Sequence, residues 1–353
     1  MTIDLASLGW DASLAAAFPE GPYCRPGRVA RVDRGVCTVL CADGPVRAGL
    51  AGALRAAAKR DSVGLPGAGD WVVVRTWSDR RTTVEAVLPR RTAIVRRTAD
   101  KDASVQVLAA NVDAVAVVEP MHPVPDEGRI ERLLALAWES GARPLVVLTK
   151  SDLVGKPAAV SVQVARAAPG VPVVPVSARR GDGPDALRPF VAAGRTLALL
   201  GPSGAGKSTL VNALVGTPVM DTGETRRGDG KGRHTTTYRA LVPVPGGGAV
   251  LDTPGVRAVG LLDAEVGLEQ AFADVESLAA GCRFADCSHN GEPGCAVRAA
   301  LEAGDLTARR WASYQKLRCE VEHETRRRNA RLAAKERARR RKVHQQFRLR
   351  RRR

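Results

Sequence analysis

The chain has 353 residues, 44% of them hydrophobic, and carries 54 Lys or Arg against 37 Asp or Glu, a net charge of +17. That length accommodates two or three domains with at least one sizeable core. No run approaches the roughly 18 apolar residues of a membrane span. Asp4 and the lack of a basic N-terminal stretch argue against a secretory signal, and seven unevenly spaced cysteines are too few for a disulfide framework, so a reducing cytoplasm is expected.

Residues 1–24 read as an N-terminal lead, helical around Leu5, Leu8, Trp10 and Leu14. Residues 25–95 are β-like, with short runs at 29–32, 36–40, 70–74 and 83–88 separated by turn residues. They predict a small β-barrel, an oligonucleotide-binding fold being one option. Over 105–262 the pattern becomes α/β, with strand candidates at 112–118, 144–148, 171–176, 195–200, 239–244 and 248–251. Helices are expected at Glu131–Ser140 and Lys207–Val215. Such alternation predicts a mostly parallel sheet with helices on its faces. Residues 219–237 are polar and Gly-rich and read as a mobile loop. Residues 265–322 are expected to be mostly helical around a cysteine-bearing loop, and 323–353 to form an Arg-rich tail.

The charge is concentrated in that tail. Residues 326–353 hold 15 Lys or Arg and one acid, Glu336. A block of this density points to nucleic acid or an anionic membrane surface. It lacks the interleaved large apolar residues of a membrane-surface helix. Its single aromatic is Phe347, so phosphate contact that ignores sequence is the expected mode.

Four motifs define the middle of the chain. Thr149-Lys150-Ser151-Asp152 comes first, then Ser177-Ala178, then Gly201-Pro202-Ser203-Gly204-Ala205-Gly206-Lys207-Ser208-Thr209, and last Asp252-Thr253-Pro254-Gly255. An ordinary small GTPase has the phosphate loop first and the Lys-x-Asp motif near its end, so the order is that of a circularly permuted GTPase. The loop between a strand and a helix lets backbone N–H groups face the α- and β-phosphates. Lys207 is expected to reach the β- and γ-phosphates, and Ser208 to hold Mg²⁺. Asp152 can accept from guanine N1–H and the 2-amino group, a donor pair adenine lacks, and Lys150 can lie across the base. Thr149 stands where Asn is usual. Asp252 is expected to hold Mg²⁺ through water, and the Gly255 N–H to meet the γ-phosphate. Val256 follows, where many GTPases carry a water-orienting Gln, so slow intrinsic hydrolysis is expected. In the polar loop, Thr235 or Thr236 is the candidate to complete the Mg²⁺ shell, and His234 to orient water.

Cys282, Cys287, His289 and Cys295 place four soft ligands within 14 residues. Three Cys and one His suit a closed tetrahedral zinc site, structural because no position is left for water. The remaining four cysteines are expected in ordinary core or surface positions.

Taken together, the permuted order, Gly232-Arg233-His234-Thr235-Thr236-Thr237, Asp252-Thr253-Pro254-Gly255-Val256-Arg257 and the cysteine run resemble the bacterial ribosome small-subunit-dependent GTPase A family over about residues 25–320. The resemblance implies an oligonucleotide-binding barrel, a permuted GTPase domain and a C-terminal zinc domain. It implies a cytoplasmic factor late in maturation of the 30S subunit, with GTP hydrolysis stimulated by that subunit. Partners would be the 30S subunit with its 16S rRNA and GTP or GDP, with no membrane, the chain acting as a monomer. His234 falls where that family's catalytic histidine has been placed. A nucleic-acid-binding module with vestigial nucleotide binding, and a permuted GTPase acting at a membrane or on tRNA, are the competing readings.

Overall fold

A computed structural model of the chain describes residues 2–19, 21–33, 35–58, 62–97, 105–221, 240–253 and 264–327. His234, Thr235, Thr236, Thr237, Pro254, Gly255, Val256 and the tail beyond 327 lie outside the described residues.

Helix α1 (Ala12–Ala17) starts where Asp11 accepts from the Ser13 and Leu14 N–H groups, an N-cap that holds otherwise orphaned donors. Leu5 and Leu8 belong to turns before it, so the helical lead is shorter than expected.

Strands β1 (Cys24–Asp33), β2 (Val36–Cys41), β3 (Gly44–Leu50), then helix α2 (Gly52–Ala58), then β4 (Trp71–Thr76) and β5 (Thr82–Val87) make a closed barrel in the order β1-β2-β3-β5-β4. Closure comes from β4 pairing back onto β1, Arg28 opposite Trp71 and Cys24 opposite Arg75. Only β3 and β5 run parallel within it. This is the arrangement of an oligonucleotide-binding barrel. Val29, Cys37, Val39, Cys41, Ala48, Val72, Val74 and Val84 fill the interior. Two of the cysteines outside the zinc-type cluster are therefore core residues.

Strand β6 (Ala93–Arg97) lies outside the barrel and pairs antiparallel with β7 (Val105–Ala110) in a separate ribbon. Arg28 ties lead, barrel and ribbon together. Its guanidinium is buried, with Nε donating to the Gly69 carbonyl at 3.3 Å, one Nη to the Asn111 carbonyl at 2.8 Å and the other to Leu8. Burial lowers its pKa to about 10, opposed by the charges of Asp113 and Asp70.

The α/β part runs β8 (Ala114–Pro120), α3 (Glu127–Glu139), β9 (Arg143–Thr149), α4 (Pro157–Ala167), β10 (Val173–Pro175), β11 (Thr196–Leu200), α5 (Lys207–Val215), β12 (Ala240–Pro243) and β13 (Ala249–Asp252). The sheet order is β10-β9-β8-β11-β13-β12, parallel except for β12. β8, β9 and β11 are buried along nearly their whole length, as strands covered on both faces must be. Helix α3 begins four residues before the apolar periodicity, because Asp126 caps it by accepting from the Arg129 N–H at 2.9 Å.

Helices α6 (Glu265–Ala271), α7 (Ala273–Ala280), α8 (Ala296–Ala303) and α9 (308–327) complete the described chain. α9 runs unbroken through residue 322, where the sequence placed the start of the tail. It is fastened to α3. Glu131, fully buried, accepts from both Arg309 and Arg310, and Arg132 forms a two-bond pair with Glu320.

Candidate functional site

All four nucleotide motifs emerge at the carboxyl edge of the parallel sheet. Thr149 ends β9, Ser177 follows β10, Gly201 follows β11 and Asp252 ends β13. In open α/β sheets that edge is where ligands bind. The rotated motif order therefore leaves the spatial arrangement of the strands intact.

The phosphate loop turns between β11 and α5 on glycines. A Cβ on Gly201 would lie 2.2 Å from the Val118 carbonyl oxygen, and Gly206 has φ +89°, so neither position admits another residue without strain. Gly206 is the N-cap of α5, which puts the positive end of that helix at the loop. Lys207 is buried and folds back on its own loop, its Nζ donating to the carbonyls of Gly201 and Pro202, both at 2.9 Å. Burial lowers its pKa and the charge of Asp252 opposes that shift.

Asp252 is buried, and neither carboxylate oxygen accepts a well-formed hydrogen bond. Burial raises its pKa to about 6, with Lys207 and the nearby Ser208 hydroxyl favouring the charged form. An unsatisfied buried carboxylate beside a serine hydroxyl fits a hydrated Mg²⁺: hard oxygen donors with lone pairs to spare. Thr253 is held differently, its hydroxyl donating to the Leu199 carbonyl at 2.7 Å.

The base-reading motifs are joined to one another. Ser177 donates from Oγ to Asp152 Oδ1 at 2.7 Å, and this bond is the main reason the Asp152 carboxyl titrates below its ordinary range. The Ser177 backbone is fixed by reciprocal bonds with Asp182 at 2.8 and 3.1 Å. Lys150 adopts φ +57°, which turns the chain sharply after β9. Thr149 is buried, and its hydroxyl donates to the Ala205 carbonyl of the phosphate loop at 2.5 Å. Thr149 stands where Asn is usual in such a motif. Its bond to the loop depends on a contact across 56 residues, which spacing does not reveal.

The cysteine and histidine cluster assembles between α7 and α8. Ligand atoms of Cys282, Cys287, His289 and Cys295 lie within 4.8 Å of one another, and His289 Nδ1 is 3.5 Å from both Cys282 and Cys295 Sγ. Such spacings suit four donors around one tetrahedral Zn²⁺, with sulfur near 2.3 Å and nitrogen near about 2.0 Å from the metal. Glu292 shapes the intervening loop, accepting from the N–H groups of Ser288, Asn290 and Gly291 and from the Ser288 hydroxyl. Those bonds hold its carboxyl at about 2. Glu292 belongs to the cysteine run that carries the family resemblance, but spacing alone assigns it no role. An acid just before a Pro-Gly turn, closing a loop of N–H donors, is the signal that marks it.

The RsgA GTPase family model matches residues 87–262. A curated relative from Streptomyces coelicolor, named small ribosomal subunit biogenesis GTPase RsgA, is 53% identical over 320 residues, covering 89% of this chain and 85% of that protein. The chain belongs to the RsgA GTPase family. An Opitutus terrae relative of the same name is 45% identical, with 97% of this chain and 96% of that one covered. Among solved structures, YjeQ from Thermotoga maritima superposes with TM-score 0.60 at 26% identity, covering 84% of this chain and 98% of that chain. YloQ, described as a circularly permuted GTPase, shares the fold with TM-score 0.56 at 22% identity, covering 85% and 96%. As a member of the RsgA GTPase family, the chain is a GTP hydrolase.

Proposed function

We propose that this chain is a cytoplasmic GTP-hydrolysing factor in late maturation of the small ribosomal subunit, a monomer that engages the 30S subunit through 16S rRNA with GTP bound and leaves on hydrolysis. The observation that carries the reading is the 53% identity across 89% of the chain to a protein named for small-subunit biogenesis. The proposed domains are barrel (25–95, its last residues opening the β6 ribbon), GTPase (105–262), zinc-binding helical part (265–322) and basic tail (323–353, its first residues still in α9).

In this reading the phosphate loop from Gly201 to Thr209 cradles the phosphates, and Lys207 leaves its loop carbonyls for the β- and γ-phosphates. Asp152 reads the guanine edge, oriented by Ser177, with Lys150 and Ala178 flanking the base. Ser208 and Asp252, with Thr235 or Thr236, would hold Mg²⁺, which when bound neutralises charge building on the β- and γ-phosphate oxygens. The Gly255 N–H meets the γ-phosphate and His234 orients the attacking water. Val256 offers neither donor nor acceptor, so turnover waits on a partner. Cys282, Cys287, His289 and Cys295 would hold one structural Zn²⁺.

The test is GTP turnover by the purified chain alone and with 30S subunits, 50S subunits or naked RNA. Stimulation confined to 30S is expected. Equal stimulation by any RNA would replace the reading with a generic RNA-dependent GTPase, and no stimulation would return it to membrane or tRNA partners.

A further inference from the structure

The nucleotide motifs occupy the carboxyl edge of the parallel sheet, and the amino edge carries a cleft of its own. It opens where β8, β9 and β11 begin, beneath the lead and the barrel, and has a volume of about 260 Å³. Strand β8 is seven residues long, so roughly 20 Å of sheet separates the two edges. The inner wall is formed by Leu8, Trp71, Val112 and Arg28, each 1% exposed. Arg91, Arg143 and Asp113 stand at the exposed rim.

The charges around the cleft do not cancel. Arg91 is taken by Asp11, to which it donates at 2.5 and 2.6 Å. Asp113 stays on the rim with one carboxylate oxygen accepting from the Thr196 N–H at 2.7 Å. Arg28 gives one N–H from each nitrogen to a carbonyl, those of Gly69, Leu8 and Asn111, which leaves donors over on both terminal nitrogens. No carboxylate pairs with Arg28 among the described residues; Asp113 and Asp70 act on it only at a distance, and Asp70 is already bound by Arg90. Arg143 likewise has no ion-pair partner among the described residues. With the Arg91–Asp11 pair set aside, Arg28 and Arg143 face Asp113 alone, an excess of one positive charge. One of those two cations is buried, and a buried charge without a counter-ion is unfavourable. An anion in the cleft would offset it.

We propose that this cleft binds a small organic monoanion, a carboxylate on a compact apolar body, with Arg28 and Arg143 meeting the charge and Leu8, Trp71 and Val112 covering the body. An engineered apolar cavity of about 150 Å³ holds benzene, so the volume here suits a single ring or a short branched chain bearing the acid. An inorganic anion would leave the apolar wall uncovered, and a neutral apolar molecule would leave Arg28 without a counter-ion. Because the walls come from lead, barrel and GTPase domain, the occupant would stabilise the arrangement in which the three are closed together. The site is separate from the nucleotide edge, and the inference does not depend on the proposed ribosomal role.

The test uses the full chain without nucleotide and three probes: benzoate, benzyl alcohol, which has the ring but no charge, and inorganic phosphate, which has charge but no apolar body. Binding is read from the indole N–H resonances of isotope-labelled protein, the Trp71 signal being the one lost in Trp71→Phe. Benzoate should shift that signal saturably, with a Kd of about 1 mM or tighter. Benzyl alcohol and phosphate should each bind at least about tenfold more weakly, since each lacks half of what the cleft offers. Arg28→Met should abolish benzoate binding, but Arg28 also ties lead, barrel and ribbon together, so the deciding variant is Arg143→Glu at the exposed rim. Arg143→Glu should weaken benzoate about tenfold, and less in high salt, with melting temperature and GTP binding unchanged. Equal affinity for phosphate or for benzyl alcohol, the lack of any saturable shift, or benzoate binding indifferent to Arg143→Glu would each overturn the proposal.

Discussion

The hydroxyl of Thr149 donates to the Ala205 carbonyl across 2.5 Å, joining the end of the base-reading strand to the middle of the phosphate loop. Both groups are buried, so neither has water as an alternative partner. Thr149→Val keeps the shape and removes the donor, leaving a buried carbonyl unsatisfied at a cost of about 1–3 kcal/mol. GTP affinity should fall about tenfold, since base and phosphate contacts lose their common register, while Thr149→Ser stays near wild type. Titration of a fluorescent guanine nucleotide checks this. Equal affinities for Thr149→Val and wild type would show the bond to be idle.

The Asp152 carboxylate is held by Ser177 Oγ and titrates low, so it meets the base as an acceptor only. Asp152→Asn substitutes a donor for one acceptor oxygen, which mismatches guanine N1–H and the 2-amino group but matches the 2-oxo group of xanthine. The expected outcome is loss of GTP turnover with gain of XTP turnover. Competition between the two nucleotides measures it, and retained GTP preference would remove Asp152 from base reading.

Much of this site was legible in the sequence because its chemistry is carried by contiguous motifs. Lys207, Asp252 and Asp152 each stand at or after the end of a strand whose apolar run announces it, on β11, its neighbour β13 and, one strand beyond β8, β9. Cys282 to Cys295 were legible for the same reason, a short span holding all four donors. What could not be read was tertiary. The partner of Thr149 lies 56 residues away. β6 looks like any barrel strand until its pairing with β7 is known. The start of α3 depends on a capping aspartate that adds nothing to an apolar period. The fastening of α9 to α3 spans about half the chain and leaves only ordinary surface-type residues, Glu and Arg, in the sequence.

Asp252 gives the nucleotide-free protein a pH dependence. Its folded pKa of about 6 lies above the ordinary value of 3.8, because burial disfavours the charge. Between those values the folded form binds more protons than the unfolded one. Stability therefore falls as pH rises from about 4 to about 6 and levels off above, by up to about 3 kcal/mol. Asp252→Asn should remove that limb, so its stability relative to wild type grows across this window, while GTP turnover is lost. Parallel urea titrations at the two ends of the window measure the difference, and parallel curves for the two proteins would refute the burial argument.

The zinc-type cluster makes a separable prediction. Four donors leave no spare ligand, so Cys295→Ala should abolish stoichiometric zinc and lower the melting temperature. Cys295 also caps α8, accepting from the Arg298 N–H, so Cys295→Ala tests metal and cap together, while His289→Ala leaves the cap and removes the metal ligand with its edge contact to Trp311. Chelation of the wild-type protein should reproduce most of the His289→Ala melting shift, the remainder being the lost contact to Trp311. Full zinc content in His289→Ala would exclude the four-ligand set.

Arg310 is the group on which α9 depends. Its side chain is 5% exposed and touches four other elements. It donates to Glu131 on α3 at 2.9 Å, to the Ala167 carbonyl at the end of α4 at 3.0 Å, and to the Ala271 carbonyl and Asp274 at 3.0 and 2.6 Å, while lying 4.6 Å from the Phe272 ring centroid. A guanidinium alone has enough donors in one plane for this, and Lys cannot reproduce the fork. Removing one partner from such a buried set costs about 3–5 kcal/mol, because Asp274 loses its counter-ion and buried Glu131 is left with the half-exposed Arg309 alone. Arg310→Met should destabilise by that amount, and Glu131→Gln in the Arg310→Met background should recover part of it, since the stranded charge is then gone. Because α9 leads toward the basic tail, the single variant should also lose RNA affinity more steeply on warming than wild type does. Denaturant titration of the two singles and the double decides it: additive losses would mean that Glu131 and Arg310 act independently.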